Sequence, residues 1–487
     1  MKKYLDSSTL TALFLSFVLV FIKKWEVGSN LDPLWYSAVA KNIALTGNFF
    51  NFSVSQYEAS QIYDHMPLTY WVVGALMKTF GISDFVARFY TLLCGFFTLF
   101  LIFLIGKKIK NSFFGLLALT FSLFNINFIK WNGQLLHDIP LTLYLLAATY
   151  FFICFYKDKK NHHLYLVSFF FVLALWSKGP VALAFPFALT LWLVFKLDFS
   201  LFKNKHFYIA LLFMGLLLSL FFLPALSFHG ENYYSLFYRA KKSYLGIGSE
   251  QNSHFFDYFK MLAKLATIQI LLAFITFGII LKPQNKKDMK EEHSYLWLLA
   301  FLIFSIIIPF SFFKIKMGHY IFPLYPYLTL FSAYPLCHWL ANRINLQKWL
   351  FYLCLGSVCF FVAFPVKIGG GREKHFINIV NILKFDSHIK EKNIYFLGGY
   401  EDAMDLVQTF SFYGSLNIRY SSAEFWSTQH LGKNYLLVKA ENLPLKTQDK
   451  NFSLSDCFIL SGIFCVLTDS TSLKLTLPKN KLPQEIY

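Results

Sequence analysis

Long apolar runs, separated by short clusters of lysine, recur along most of this chain. Runs of about 18 or more apolar residues have the length that crosses about 30 Å of hydrocarbon. The pattern predicts spans near 8–24, 83–106, 112–129, 138–156, 163–177, 179–197, 206–228, 259–282, 294–313, 319–338 and 348–366. It describes an α-helical polytopic membrane protein with about 11 to 13 transmembrane helices. Leu10 to Ile22 reads as the first span, because no small-residue cleavage site follows the short basic start.

Two apolar stretches are read as surface helices, the first of them barely long enough to cross. Residues 67–80, P-L-T-Y-W-V-V-G-A-L-M-K-T-F, fit a helix lying at the membrane surface with Tyr70 and Trp71 at headgroup level. Residues 33–46 predict a second juxtamembrane helix, with Pro33 suited to its first turn. After Phe364 the pattern changes. K-I-G-G-G-R-E-K reads as a linker, and the remainder as a small α/β domain. Its strand candidates are N-I-Y-F-L and N-Y-L-L-V, with a helix at E-D-A-M-D-L-V-Q-T-F and a hairpin in C-F-I-L-S-G-I-F-C-V-L. The division expected is thus 1–366, a membrane domain with a first outer loop at 25–82, and 367–487, an α/β domain.

The clusters Lys107, Lys108 and Lys110; Lys157, Lys159 and Lys160; Lys203 and Lys205; and Lys286, Lys287 and Lys290 mark loops of one sign. Under the positive-inside rule they are cytoplasmic, which places the N-terminus inside and the C-terminal domain outside. Composition agrees: 56% of the 487 residues are hydrophobic, 20% aromatic and 15% charged, with 60 phenylalanines and a mean hydropathy of +0.48. The net charge of +18 does not signal nucleic acid, because its lysines sit between spans and form no aromatic-interleaved basic groove. Cys457 and Cys465 flank the hairpin turn. Two buried free cysteines are the reading favoured over a disulfide, which an oxidising compartment would permit.

The outward loops hold polar residues that topology does not require. Asp32, before Pro33, is either a helix cap or a carboxylate poised as a general base. Asp64 and His65, beside Tyr63, are either solvated or half of a site that His254 completes from another loop, sharing a divalent metal with substrate phosphate. Asp138 starts a span, where capping alone would account for it. Lys178 in W-S-K-G-P-V-A, and Lys316 with Tyr320 in K-M-G-H-Y-I-F-P, are outward groups suited to a phosphate or anionic headgroup.

Taken in order, these segments resemble the GT-C-type, polyprenyl-phosphate-dependent glycosyltransferases of bacteria, the branch holding the lipid A aminoarabinose transferase and relatives of protein O-mannosyltransferases. The family's D-E-x-R-Y-x-x-x-A reads here D-P-L-W-Y-S-A-V-A, and its F-E-K-P-P-L-T-Y-W reads Y-D-H-M-P-L-T-Y-W. Its D-x-P-L-T is Asp138-Ile-Pro140-Leu-Thr, its T-K-G-P-V-A is S-K-G-P-V-A, and its S-K-x-x-x-Y-x-x-P is I-K-M-G-H-Y-I-F-P. The resemblance covers roughly residues 10–365. It implies a GT-C fold and an inverting transferase in the bacterial inner membrane. The sugar would come from an undecaprenyl-phosphate carrier and pass to an outer-leaflet acceptor, lipid A foremost, with a protein or another glycan as the alternative.

By the same resemblance Asp32 is the catalytic carboxylate and Asp138 shapes the sugar site. Asp64 and His254 bind a divalent metal (Zn, Mg or Mn), and Tyr63, His65, Lys178, Lys316 and Tyr320 stand near the donor phosphate. Three positions depart from the family. Pro33 replaces an acid, Trp35 an arginine, and His65 the lysine of E-K-P-P. A histidine there neutralises phosphate only when protonated, so activity is expected to fall as pH rises through its pKa. A transporter for an amphipathic anion is the rival class, but the chain shows no internal repeat and its polar groups lie at span ends instead of mid-span.

Overall fold

The structure is a computed structural model of the full chain. It describes residues 7–22, 31–53, 65–122, 125, 128, 131, 134–229, 253–282, 291–340, 343, 352, 356, 372–383, 394–397, 412, 418–420, 435–439, 445–446, 451–452, 459–461 and 464–468. Tyr63, Asp64, Cys457, the expected helix at 401–410 and most of the expected span at 348–366 lie outside these residues.

The protein is a helical membrane protein with a small α/β part. Among the described residues, five stretches are long and apolar enough to cross a membrane: Asp84–Ile109, Asp138–Asp158, His162–Lys196, Lys205–Ser227 and Glu291–Ser311. A sixth arises if the pair Asp257–Leu265 and Thr267–Ile280, bent by 104°, counts as one broken span. The chain groups into two compact units. One holds residues 1–26, 63–72 and 83–367, and the other 27–62, 73–82 and 368–487.

In the first unit, α1 (Ser7–Phe17) continues into a π-helical turn at Val18–Ile22. The second unit contributes α2 (Leu31–Thr46), and α3 (Leu68–Phe80) follows as the expected short helix. Ser83 caps α4 (Asp84–Ile109) by accepting from the Val86 N–H, and Asn111 caps α5 (Ser112–Phe121) by accepting from the Phe114 N–H. α4 and α5 cross where two glycines meet. A Cβ on Gly115 would lie 2.4 Å from the Phe103 carbonyl oxygen, and one on Gly106 would lie 2.6 Å from the Gly115 Cα. Small residues at such crossings let backbones approach, the usual device where lipid removes the hydrophobic drive for helix association.

α6 (Asp138–Asp158) packs on α4 and on α7 (His162–Lys178). The spans expected at 163–177 and 179–197 are α7 and α8 (Ala184–Lys196), joined by a 3-10 turn at Gly179–Leu183. By length and composition they make one 35-residue candidate. α9 (Lys205–His229) presents Leu212, Leu216, Leu220 and Leu223 on one exposed stripe, as a lipid-facing helix would. Then come α10 (Asp257–Leu265), α11 (Thr267–Ile280), α12 (Glu291–Ser311) and α13 (Leu324–Trp339), with α13 packed against α5, α11 and α12.

The α/β part opens with α14 (Arg372–Leu383), which starts inside the stretch read from sequence as a linker. Strands β1 (Ile394–Leu397), β2 (Ile418–Tyr420), β3 (Tyr435–Lys439), β6 (Ile459–Ser461) and β7 (Phe464–Thr468) form one sheet, in the order β2-β1-β3-β7-β6. β1 is parallel to β2 and β3, while β7 is antiparallel to β3 and β6. β4 (Leu445–Lys446) and β5 (Asn451–Phe452) pair separately. Cys465 on β7 is disulfide-bonded, which corrects the expectation of a free thiol there. Alternating hydrophobicity places Cys465 on the sheet but carries no information about its redox state.

Candidate functional site

Two helix ends in the first unit create the site. α6 begins at Asp138, and α7 ends at Lys178, where Gly179 takes a φ of 66° and the helix cannot continue. A Cβ at Gly179 would lie 3.2 Å from the Met66 methyl group, so glycine serves both the turn and the close approach. The Lys178 ammonium donates to the Asp138 carboxylate, with both residues buried, at 5% and 2% exposure. Burying an unpaired charge is expensive, and the pairing offsets part of that cost. The same ammonium lies 4.6 Å from the centroid of the Tyr320 ring, a cation–π contact.

Imidazoles surround this pair. His137, one residue before Asp138, donates from Nδ1 to the Ser177 carbonyl at 3.1 Å. His65 stacks on His137 with centroids 4.7 Å apart, and Tyr70 meets His137 edge-on at 4.8 Å. His319 contacts Tyr320 at 4.8 Å and Trp131 at 5.4 Å. Although His65 keeps some accessible surface, burial, then the Lys178 charge and His319, push its imidazole down to about 3. His137 and His319 are held well below the ordinary histidine value, burial again leading. All three rings are therefore neutral near pH 7. The expected charged hydrogen bond from His65 is absent from this state, because burial desolvates the ring and the Lys178 charge opposes a second positive one.

Lys316 occupies a different setting. Its ammonium donates to the carbonyls of His254 at 2.8 Å, Ser311 at 3.1 Å and Phe313 at 3.1 Å. It thereby caps the end of α12 and ties it to the turn before α10. Tyr258 on α10 closes the same turn, donating to the Met317 carbonyl at 3.1 Å. Burial lowers the Lys316 pKa, with Asp257 opposing. His254 is exposed, and its backbone N–H donates to Asp257 Oδ2 at 2.6 Å.

Among the described residues no three His, Cys, Asp or Glu side chains converge to hold a metal. His254 is the described half of the expected pair, and Asp64 falls outside those residues. Asp32 lies in the first turn of α2, part-buried, in the second unit. The structure thus brings together Asp138, Lys178, Tyr320 and His65, and sets Lys316 with His254. Sequence reasoning passed over His137, His319 and Tyr258. The signal for the two histidines was adjacency, since each directly precedes a residue already singled out, in H-D and H-Y.

Residues 64–227 match the family described as dolichyl-phosphate-mannose-protein mannosyltransferase. Two curated relatives from Aquifex aeolicus (strain VF5), both described as uncharacterized, are 27% identical over 304 residues and 28% identical over 321. These alignments cover 61% and 66% of this chain, and 58% and 71% of the relatives. ArnT from Cupriavidus metallidurans, solved with undecaprenyl phosphate, superposes with a TM-score of 0.73 at 12% identity, over 96% of this chain and 98% of that one. The chain has the GT-C fold. The apo form of the same ArnT gives 0.61 at 14% identity, covering 89% and 92%. The Archaeoglobus fulgidus oligosaccharyltransferase in complex with Zn and sulfate gives 0.56 at 12% identity, over 89% and 68%. The first superposition takes in the α/β part as well as the membrane helices, since it covers 96% of this chain.

Proposed function

We propose that this protein is an inverting glycosyltransferase that takes a sugar from undecaprenyl phosphate and places it on an outer-leaflet acceptor, lipid A foremost. The observation that carries the reading is the end-to-end match to ArnT bound to undecaprenyl phosphate, together with the buried Asp138–Lys178 pair at matching motif positions. In this reaction the acceptor oxygen bonds to the anomeric carbon while the carbon–oxygen bond to the carrier phosphate breaks. The phosphate leaves with the electron pair. Asp32 takes the proton if the acceptor is a hydroxyl, and orients the acceptor if it is already an anionic phosphate oxygen. Lys178 offers the phosphate a cation whose direction is fixed by Asp138 and Tyr320. His65, being neutral, contributes one N–H donor and no charge, while the single N–H of neutral His137 is held by the Ser177 carbonyl.

A divalent ion belongs to the same proposal; Asp64 and His254 would hold it, and it would supply positive charge toward the leaving phosphate. The bacterial inner membrane is the proposed location, with the α/β domain on the periplasmic side, where the disulfide at Cys465 suits an oxidising compartment.

Mass spectrometry of lipid A from cells with and without the protein tests the reading. A difference of one amino sugar or one hexose supports it. The match to the protein mannosyltransferase family favours a second reading, transfer to a protein hydroxyl. Unchanged lipid A with loss of a protein glycan would select that one. No change in either would overturn both.

A further inference from the structure

Lys41 is a buried cation that the site does not use. It lies in α2, in the second unit, at 7% exposure. Its ammonium donates to the Phe412 carbonyl at 2.6 Å, a bond joining residues 371 positions apart, and Phe412 is itself buried at 3%. Nearby contacts grip the same helix. Asn42 donates to the Ser53 carbonyl at 3.1 Å and to its hydroxyl at 2.8 Å. Gly74 of α3 lets the two helices touch, since a Cβ there would lie 2.8 Å from Ile43 Cγ2 and 3.2 Å from the Ala40 carbonyl oxygen.

Packing alone does not call for this lysine. Burying an ammonium costs folding energy that an apolar side chain of similar size would not. What the ammonium adds is direction. Hydrophobic contact is tolerant of small sliding and rotation, whereas one donor on one carbonyl fixes both. Asp32 stands on this helix, roughly 2.5 turns nearer the N-terminus. Any rotation of α2 about its axis swings that carboxylate.

We propose that Lys41 is a positioning residue for Asp32: its bond to the Phe412 carbonyl locks α2 to the C-terminal part of the chain and so sets the carboxylate's place. The C-terminal part then acts in transfer through α2. This rests on the reading of Asp32 as the group that serves the acceptor.

The test uses the full chain in lipid nanodiscs, with Lys41→Met and Lys41→Arg. Arginine keeps a donor for the carbonyl, and methionine keeps the volume without one. Lys41→Met relieves the buried charge but leaves the Phe412 carbonyl without this donor, so its thermal midpoint should stay near wild type, while amide exchange in residues 31–46 quickens and that in residues 84–109 does not. Its kcat should fall roughly ten- to hundredfold with KM for the polyprenyl-phosphate sugar unchanged, as a small misplacement of a reacting group does. Lys41→Arg should recover most of both. Wild-type exchange and kcat in Lys41→Met would overturn the proposal. So would a lowered midpoint with exchange raised evenly in both segments, which marks a merely structural lysine. If the wild-type protein transfers no sugar, the functional reading fails, and the exchange comparison alone still decides whether Lys41 locks α2.

Discussion

Lys178 and Asp138, separated by 40 residues in sequence, form an ion pair with almost no exposure, and no other acid takes part in it among the described residues. The two ends of neighbouring helices supply one charge each. Breaking either half leaves the other buried and uncompensated, at a cost of about 3–5 kcal/mol. Asp138→Asn and Lys178→Met should each lower stability by about that amount, while the double variant loses markedly less than the sum. Chemical or thermal unfolding in detergent measures the cycle. Additive losses would show that the pair is not coupled.

Asp32→Asn keeps the shape of the side chain in the first turn of α2 and removes its basicity. Transfer to a hydroxyl acceptor should drop about 10²–10⁴-fold, with the thermal midpoint close to wild type. Single-turnover kinetics on a polyprenyl-phosphate sugar give the number. Wild-type turnover in this variant would remove Asp32 from the chemistry.

His65 is neutral in the folded protein, its pKa pushed down to about 3 from the ordinary 6.5. Burial depresses the folded-state pKa, so the folded protein disfavours the protonated ring. Above about 6.5 the ring is neutral whether the chain is folded or not, and its contribution to stability is full. As pH falls from there toward 3 the unfolded chain takes up a proton that the folded one refuses, and stability is lost. Thermal midpoints measured from about pH 7.5 down to about 4.5 should therefore fall less steeply in His65→Gln than in the wild type. Between about pH 6 and 8 the rate profile of the free enzyme should show no step from His65. A step that vanishes in His65→Gln would restore the charged role expected from sequence.

Gly115→Ala should destabilise by about 1–3 kcal/mol, because the added methyl group meets the Phe103 carbonyl at the α4–α5 crossing. Gly215→Ala is the matched control. Nothing lies within 4 Å of a Cβ there, so the better helix propensity of alanine should leave stability equal or slightly raised. Thermal melts of both variants in the same detergent make the comparison.

The helical class, most span positions and the short helix at Leu68–Phe80 were legible from the chain, because membrane thickness imposes a length on apolar runs and leaves little room for alternatives. The strands at Ile394–Leu397, Tyr435–Lys439 and Phe464–Thr468 were legible from short alternating runs. The start of α14 at Arg372 was not, since the three glycines just before it signal a break without indicating that a helix begins beyond them. Lys316 shows a different limit. Its expected outward position suggested phosphate, and in the structure its ammonium donates to three backbone carbonyls.

By itself, the sequence determined what is local: where helices must be long and apolar, where the span at 163–177 gives way to the next, and which residue types stand at helix ends. Only the tertiary structure decided which of those ends meet. It paired Lys178 with Asp138, laid Tyr320 against the ammonium, and buried three imidazoles so deeply that, with that charge adding to the effect, they stay neutral. A side chain's charge state depends on the solvent it loses and the charges it gains, and both come from residues distant in the chain.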